Sequence, residues 1–279
     1  MKSKISLILA VLMTTVAHAA SLAHLAITGA PNGSWDAISS RFDPIARYLS
    51  QTLGTPVRFR GSSTFVGFGF WVQNRGPAII FGGPQLLSWA NKHYGYIPVL
   101  AARGTIQFAL VAQSPRIKGF ANLDGGQAVC GLTEPNLGTM ALMTHFRDPL
   151  RQPYLVPVSS PAAALAGVLN GRCLAAAVPL SLLNHLKTMS GRHLHVVAPL
   201  GRFPNQGFAV SNHLSPVMQT RIAHALIAAA HAGILRRLQV ANGISGWRVP
   251  GAAHYVGYGH LVHGLLGYAN FAQPTSVAQ

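Results

Sequence analysis

The chain has 279 residues, of which 49% are hydrophobic and only 9% charged, with 21 Lys plus Arg against 5 Asp plus Glu and a formal charge of +16. Ordinary soluble domains carry about 25% charge, yet the apolar fraction is ample for a packed core, so disorder is excluded and about two domains are expected. The five acids, Asp36, Asp43, Asp124, Glu134 and Asp148, are too few for paired-carboxylate catalysis, a calcium cage or a two-metal site, and no enzyme motif replaces them.

Residues 1–19 read as a secretory leader: Lys2 and Lys4, an apolar run from Ile5 to Val16, then the small-x-small sequence Ala17-His18-Ala19. The apolar run is too short to span a hydrocarbon core of about 30 Å, so a cleaved signal, a mature start at Ala20 and a periplasmic location are expected. Export puts chromosomal nucleic acid out of reach. The basic excess then has three open readings: solubility, adaptation to an acidic exterior with few carboxylates to protonate, or a pocket for an anion.

Short apolar runs alternate with amphipathic stretches along the mature chain, the pattern of an α/β protein with largely parallel sheets. His24 to Thr28 is a strand ending in the turn cluster Gly29 to Gly33. Ser34 or Asp36 then caps a helix with Ile38, Phe42, Ile45, Ala46 and Leu49 on one face, closed by Gly54. Val57 to Arg60 is a strand, and Gly61-Ser62-Ser63-Thr64 a loop able to cap a helix. Ala78 to Phe81 is a buried strand running into Gly82-Gly83-Pro84 and a helix over Gln85 to Lys92. Ile97 to Ala101 and Ile106 to Ala112 are strands, the second long enough to pass between lobes.

After Ala112 the unit repeats: strand Ala128 to Leu132, the loop Thr133 to Thr139, and a helix carrying Leu142, Met143 and Phe146. Tyr154 to Val158 is a strand, Ser159-Ser160-Pro161 a capping segment, Ala162 to Asn170 a helix and Cys173 to Val178 a buried strand. His193 to Val197 is a strand, Gly201 to Gln206 a loop, Gly207 to Ser211 a second crossing strand and Met218 to Leu235 a buried core helix. An even pair of cysteines in an exported chain, Cys130 and Cys173, points to a disulfide rather than a metal or catalytic site.

Two α/β lobes joined by two crossings suggest a binding protein whose ligand lies beyond the strand ends. Pro31, Phe42-Asp43-Pro44, Tyr48-Leu49 and Leu53-Gly54-Thr55-Pro56-Val57 occur in an order that resembles the phosphate/phosphonate-binding periplasmic component of ABC importers. So do Phe81-Gly82-Gly83-Pro84, Val168-Leu169-Asn170-Gly171-Arg172 and Pro204-Asn205-Gln206-Gly207-Phe208-Ala209-Val210-Ser211. The resemblance implies a type II periplasmic binding protein fold that closes on a small oxyanion and presents it to a membrane permease. Its expected layout is residues 20–108 as lobe 1, 109–206 as lobe 2 and 207–279 as a return to lobe 1 with a C-terminal segment.

Helix starts carry unsatisfied N–H groups and the positive end of the helix dipole, so with small hydroxyls they form anion sites. Four starts are placed by the resemblance on ligand-facing loops: Ser62, Ser63, Thr64 and Phe65; Gly82, Gly83, Pro84 and Gln85; Asn136, Gly138 and Thr139; and Ser159 and Ser160, with Asn205 nearby. Ser63 and Thr139 would donate side-chain hydrogen bonds, while Gly83 and Gly138 would let backbone approach. Phe65 stands where the family often has tyrosine, Ser160-Pro161 where histidine is frequent, and Leu174 where an acidic residue is usual. An amino group on the ligand would lack a carboxylate partner, so a simple inorganic oxyanion held by uncharged donors is expected.

His193 with His195, and His260 with His263 near His254, have metal-compatible spacings, but without a carboxylate or cysteine shell no metal and no cofactor are expected. The segment after Trp247, rich in glycine with Tyr255, Tyr258, Tyr268 and Phe271, is expected to pack on lobe 1, with docking to a membrane partner as the alternative. The protein is expected to be a monomeric solute-binding protein serving an ABC permease. The rival reading is a transport-inactive exported sensor or accessory protein of a membrane or respiratory complex.

Overall fold

The structure, a computed structural model, describes residues 24–31, 33–133, 136–187, 194–263 and 265–268. The leader at 1–19, together with Asn32, Glu134, Pro135, His193 and Phe271, lies outside the described residues. Two sheets organise the chain. The first contains β1 (Leu25–Gly29), β2 (Val57–Phe59), β3 (Ile79–Gly82), β4 (Tyr96–Ala102), β10 (Gly207–Ser211) and β11 (Trp247–Arg248), in the order β11-β4-β10-β3-β1-β2. The second contains β5 (Thr105–Ala112), β6 (Ala128–Leu132), β7 (Tyr154–Val158), β8 (Ala175–Pro179) and β9 (His195–Pro204), in the order β7-β6-β8-β5-β9.

The sheets are mixed rather than largely parallel. The βαβ units keep β2-β1-β3 and β7-β6-β8 parallel. β10 is antiparallel to β3 and β4, and β5 is antiparallel to β8 and β9. A chain that enters and leaves the second lobe at one edge must run outward on one strand and back on another, so the strands nearest the crossings oppose each other. β4 continues into β5 through Arg103-Gly104, and β9 into β10 through Asn205-Gln206. Ala102 N–H donates to the Gln206 carbonyl at 2.8 Å and Asn205 Nδ2 to the Arg103 carbonyl at 3.4 Å, lacing the two crossings side by side. Gly104 takes φ +79°, a left-handed value that a side chain would resist.

In the first lobe α1 (Trp35–Leu53) follows from the 3.6-residue spacing of Ile38, Phe42, Ile45, Ala46, Leu49 and Leu53, all buried. Ser34 caps it by accepting from Ala37 N–H, and Gly54 ends it in the left-handed region. Pro44 lies inside it and cannot donate to the Ser40 carbonyl, which instead accepts from Arg237 Nη1 at 3.4 Å. α2 (Phe65–Gln73) and α3 (Pro84–Tyr94) complete the first half of the lobe. After the return, the expected helix over Met218 to Leu235 is α7 (Pro216–His231), which ends early because the chain turns at Gly233 with φ +74°, and a separate α8 (Arg236–Ala241) follows. Among the described residues no helix is long and apolar enough to cross a membrane.

The second lobe holds α4 (Leu137–Met143), α5 (Pro161–Leu169) and α6 (Leu180–Lys187), the last not anticipated from the sequence. The predicted loop from Gly201 belongs partly to β9, which runs to Pro204. Cys130 and Cys173 form the disulfide, tying β6 to the turn before β8. The C-terminal segment contacts both lobes: Leu261 is buried in the core of the second, while Tyr255, Val262 and Tyr268 are buried with α3 in the first. Tyr268 Oη donates to the Phe65 carbonyl at 2.9 Å, and Tyr255 Oη to the Asn205 carbonyl at 3.0 Å.

Candidate ligand-binding site

A cavity of about 710 Å³ opens between the two sheets. From the first lobe its wall takes Ala30, Pro31 and Gly33 at the end of β1, Arg41 on α1, Phe65, and Gly83, Pro84 and Gln85 at the start of α3. The second lobe adds Leu132 and Thr133 at the end of β6, Asn136 before α4, and Ser159, Ser160 and Pro161 at the start of α5. Ile106, Phe108, Pro204, Asn205 and Gln206 close the side nearest the crossings. This is the crevice beyond the carboxyl ends of parallel strands, where α/β sheets bind ligands.

The chemistry of the wall is one guanidinium among neutral groups. Arg41 is the only ionisable residue among the described residues of the wall, and no carboxylate joins it. Gly33 lies close enough that a β-carbon there would stand 3.7 Å from Arg41 Nη2. Ser160 Oγ accepts from Ala163 N–H at 3.1 Å, leaving its own proton to donate. Asn136 Oδ1 accepts from Gly138 N–H at 3.0 Å, leaving Nδ2 as a donor. Both α3 and α5 begin with proline, Pro84 and Pro161, whose missing N–H costs nothing at that position, and both helices direct their positive ends at the cavity. Among the described residues of the wall, no carboxylate offers a counter-charge to a cation.

Of the predicted site residues, Phe65, Gly83, Pro84, Gln85, Asn136, Ser159, Ser160 and Asn205 line this cavity. The others do not. Ser62 and Thr64 are spent on local capping: Ser62 Oγ accepts from Thr64 N–H, and Thr64 Oγ1 from Gly67 N–H, each at 3.1 Å, while Ser63 is exposed. Gly82 is buried in β3. Thr139 is wholly buried, and its hydroxyl donates to the Leu132 carbonyl at 2.8 Å, so it braces the loop rather than the ligand. Gly138 serves packing: a β-carbon there would lie 2.5 Å from Phe108 Cδ1, and its N–H is already taken by Asn136. Asn205 reaches the wall, but its amide is committed to the crossing, accepting from Gln206 N–H at 2.9 Å.

Arg41, Thr133, Gln206 and Asn242 were not among the predicted residues. Arg41 had a signal: it is a basic residue at the border of the apolar stripe, between Ile38 and Phe42, in the helix that follows the first strand end. It adds a guanidinium to a wall from which uncharged donors alone were expected. Among the described residues, no group of three or more His, Cys, Asp or Glu is arranged to hold a metal ion. His195 Nε2 pairs with the Ile117 carbonyl at 3.1 Å, and His260 Nδ1 with the Gly257 carbonyl at 2.7 Å.

Comparisons with known proteins bear on the family and the fold. Residues 27–255 match the family model for the phosphonate periplasmic substrate-binding protein of ABC transporters. Among solved structures, XAC2383 from Xanthomonas citri bound to ATP is similar at a TM-score of 0.69 and 12% identity, over 88% of this chain and 96% of that one. PhnD1 from Prochlorococcus marinus in complex with methylphosphonate is similar at 0.64 and 13%, over 86% and 97%. A binding protein component of an ABC phosphonate transporter from Pseudomonas aeruginosa is similar at 0.60 and 14%, over 83% of each. No curated protein sequence matches the chain. At these identities the structural likeness establishes the type II periplasmic binding protein fold, and the extent of the family match establishes membership: the chain belongs to the phosphonate-binding periplasmic substrate-binding proteins of ABC transporters.

Proposed function

We propose that the protein captures a small phosphorus oxyanion, phosphate, phosphite or a simple phosphonate, between its lobes and delivers it to an ABC permease. The observation that carries this reading is the composition of the inter-lobe wall, which among the described residues has Arg41 as its one charge, neutral donors from both lobes and no carboxylate. Solved structures of similar fold bound to methylphosphonate and to ATP support phosphorus oxyanions as the ligand class. Among the described residues of the wall a ligand amine finds no counter-charge, so amino-substituted phosphonates should bind no better than their unsubstituted parents. Binding across the cleft draws the lobes together about Arg103-Gly104 and Asn205-Gln206, because the same anion satisfies donors on both sides.

Calorimetric titration of the mature protein with phosphate, phosphite, methylphosphonate and sulfate tests the proposal. A dissociation constant in the micromolar range, near −8 kcal/mol, is expected for at least one phosphorus oxyanion. Silence for all three phosphorus ligands would remove the capture role and leave the fold without a transported solute.

A further inference from the structure

The segment that begins at Gly246 is bonded to both crossings between the lobes. At the first, Arg103 N–H donates to the Gly246 carbonyl and Arg103 Nε to the Trp247 carbonyl, each at 2.8 Å, and β11 pairs with Ala101 and Ala102. At the second, the buried Tyr255 donates from Oη to the Asn205 carbonyl at 3.0 Å. The fit there is close, since a β-carbon on Gly207 would collide with the Tyr255 hydroxyl. Movement of one lobe against the other has to pass through these crossings, so whatever fixes Tyr255 bears on that movement.

His254 lies between Arg248 and Tyr255. Its ring meets the Tyr255 ring edge-on with centroids 4.5 Å apart, and Arg248 Nη2 stands 2.8 Å from Nδ1 and 3.2 Å from Nε2. A guanidinium only donates, so the imidazole has to accept, and it can do so only while neutral; a protonated ring carries N–H on both nitrogens. Protonation therefore exchanges a hydrogen bond for two cations in contact. The charged and titratable groups around His254 are Arg248 on β11, Arg103 on the first crossing and Tyr255 beside it. Farther along, His260 and His263 face Lys92 and His93 of α3 across a hollow. Residues 44–123 and all residues after Asp148 contain no Asp or Glu, and they supply β4, β10, β11, α3 and this segment, so no side-chain carboxylate from these elements can offset the added charge. We propose that residues 246–262 form a proton-sensitive strap over the crossings, which neutral His254 holds shut through Arg248 and Tyr255 and which protonated His254 loosens, freeing the lobes to move. The inference goes beyond the capture reading and does not depend on which ligand is bound.

The test is hydrogen exchange of the unliganded mature protein at about pH 7.5 and about pH 5, values that bracket the ordinary imidazole pKa, with exchange times scaled for the intrinsic pH dependence of amide exchange. Peptides covering residues 103–107 and 204–208 should lose protection roughly fivefold or more at the lower pH, while β1 and β3 change less than about twofold. His254→Gln keeps an acceptor for Arg248 without a titratable ring, and Arg248→Gln removes the opposing cation. Each should hold the change at the crossings below about twofold, and if one variant fails to fold the other carries the test. Tyr255→Phe, which removes only the hydroxyl, should expose the second crossing at both pH values. Wild-type crossings equally protected at both pH values overturn the inference, as does a loss shared equally by β1 and β3, which is general unfolding. A loss undiminished in His254→Gln, or unchanged protection in Tyr255→Phe, overturns it as well.

Discussion

Arg41 and Asn136 face the same cavity from opposite lobes, and their replacement should separate charge from neutral donation. A hydrogen bond from a charged donor contributes about 1.5–3 kcal/mol and a neutral one about 0.5–1.5 kcal/mol. In calorimetric titration with the protein's best oxyanion, Arg41→Ala should therefore weaken binding roughly 10- to 100-fold and Asn136→Ala roughly 2- to 10-fold. The reverse order would move the anion away from α1. Thr139 makes the opposite case. Its hydroxyl is fully buried against the Leu132 carbonyl, so Thr139→Val leaves that acceptor unmet and should destabilise the fold by about 1–3 kcal/mol in urea unfolding. A drop in oxyanion affinity without loss of stability would return Thr139 to the ligand. Read from sequence alone, Thr139 and Ser160 are equivalent hydroxyls at helix starts; only the direction in which each faces distinguishes a brace from a donor.

At the scale of elements, helices and strands were legible where periodicity and caps agreed. α1 shows this best, with its apolar stripe, Ser34 at the start and Gly54 at the end. α6 was missed, because its apolar residues follow directly on β8 without a break in composition. The disulfide is a constraint between elements, closing a sequence separation of 43 residues between β6 and the turn before β8. On chain-entropy grounds a loop of that length stabilises by about 4 kcal/mol, so reduction should lower the thermal midpoint by several degrees without releasing the first lobe's strands. Gly167 packs against it so closely that a β-carbon would stand 2.5 Å from Cys130 Sγ. An unchanged midpoint under reductant would show that the bridge adds nothing to the folded chain.

For the whole molecule, the shortage of acids and the placement of histidines oppose each other as pH falls. His93, His145 and His254 are held below the ordinary imidazole value: His93 by burial and then by Lys92 and His263, His145 by burial, and His254 by burial and then by Arg248. A folded value below the unfolded one means the unfolded chain binds protons first. Stability is then complete above about pH 6.5 and declines as pH falls below it. The five carboxylates offer little further loss at lower pH; one of them, Asp124, pairs with Arg151 at the solvent-exposed surface. The expected profile is a thermal midpoint that falls as pH drops below about 6.5 and levels once these imidazoles are protonated in the folded chain too, with His145→Gln reducing the decline. A midpoint flat to pH 5 that drops steeply below pH 4 would contradict this and identify carboxylates as the controlling groups. The sequence by itself determined the α/β alternation, the pairing of two cysteines, the scarcity of counter-charge and the ordered segments that carry the family resemblance, because each depends on residues close together in the chain or on composition. Only the tertiary structure decided that Arg41 enters the wall, that Gly138 exists for Phe108, that Ser62 and Thr64 cap their own helix, and that the C-terminal segment spans both lobes. Those outcomes depend on which surfaces meet across the two sheets, and separation along a chain carries no record of that meeting.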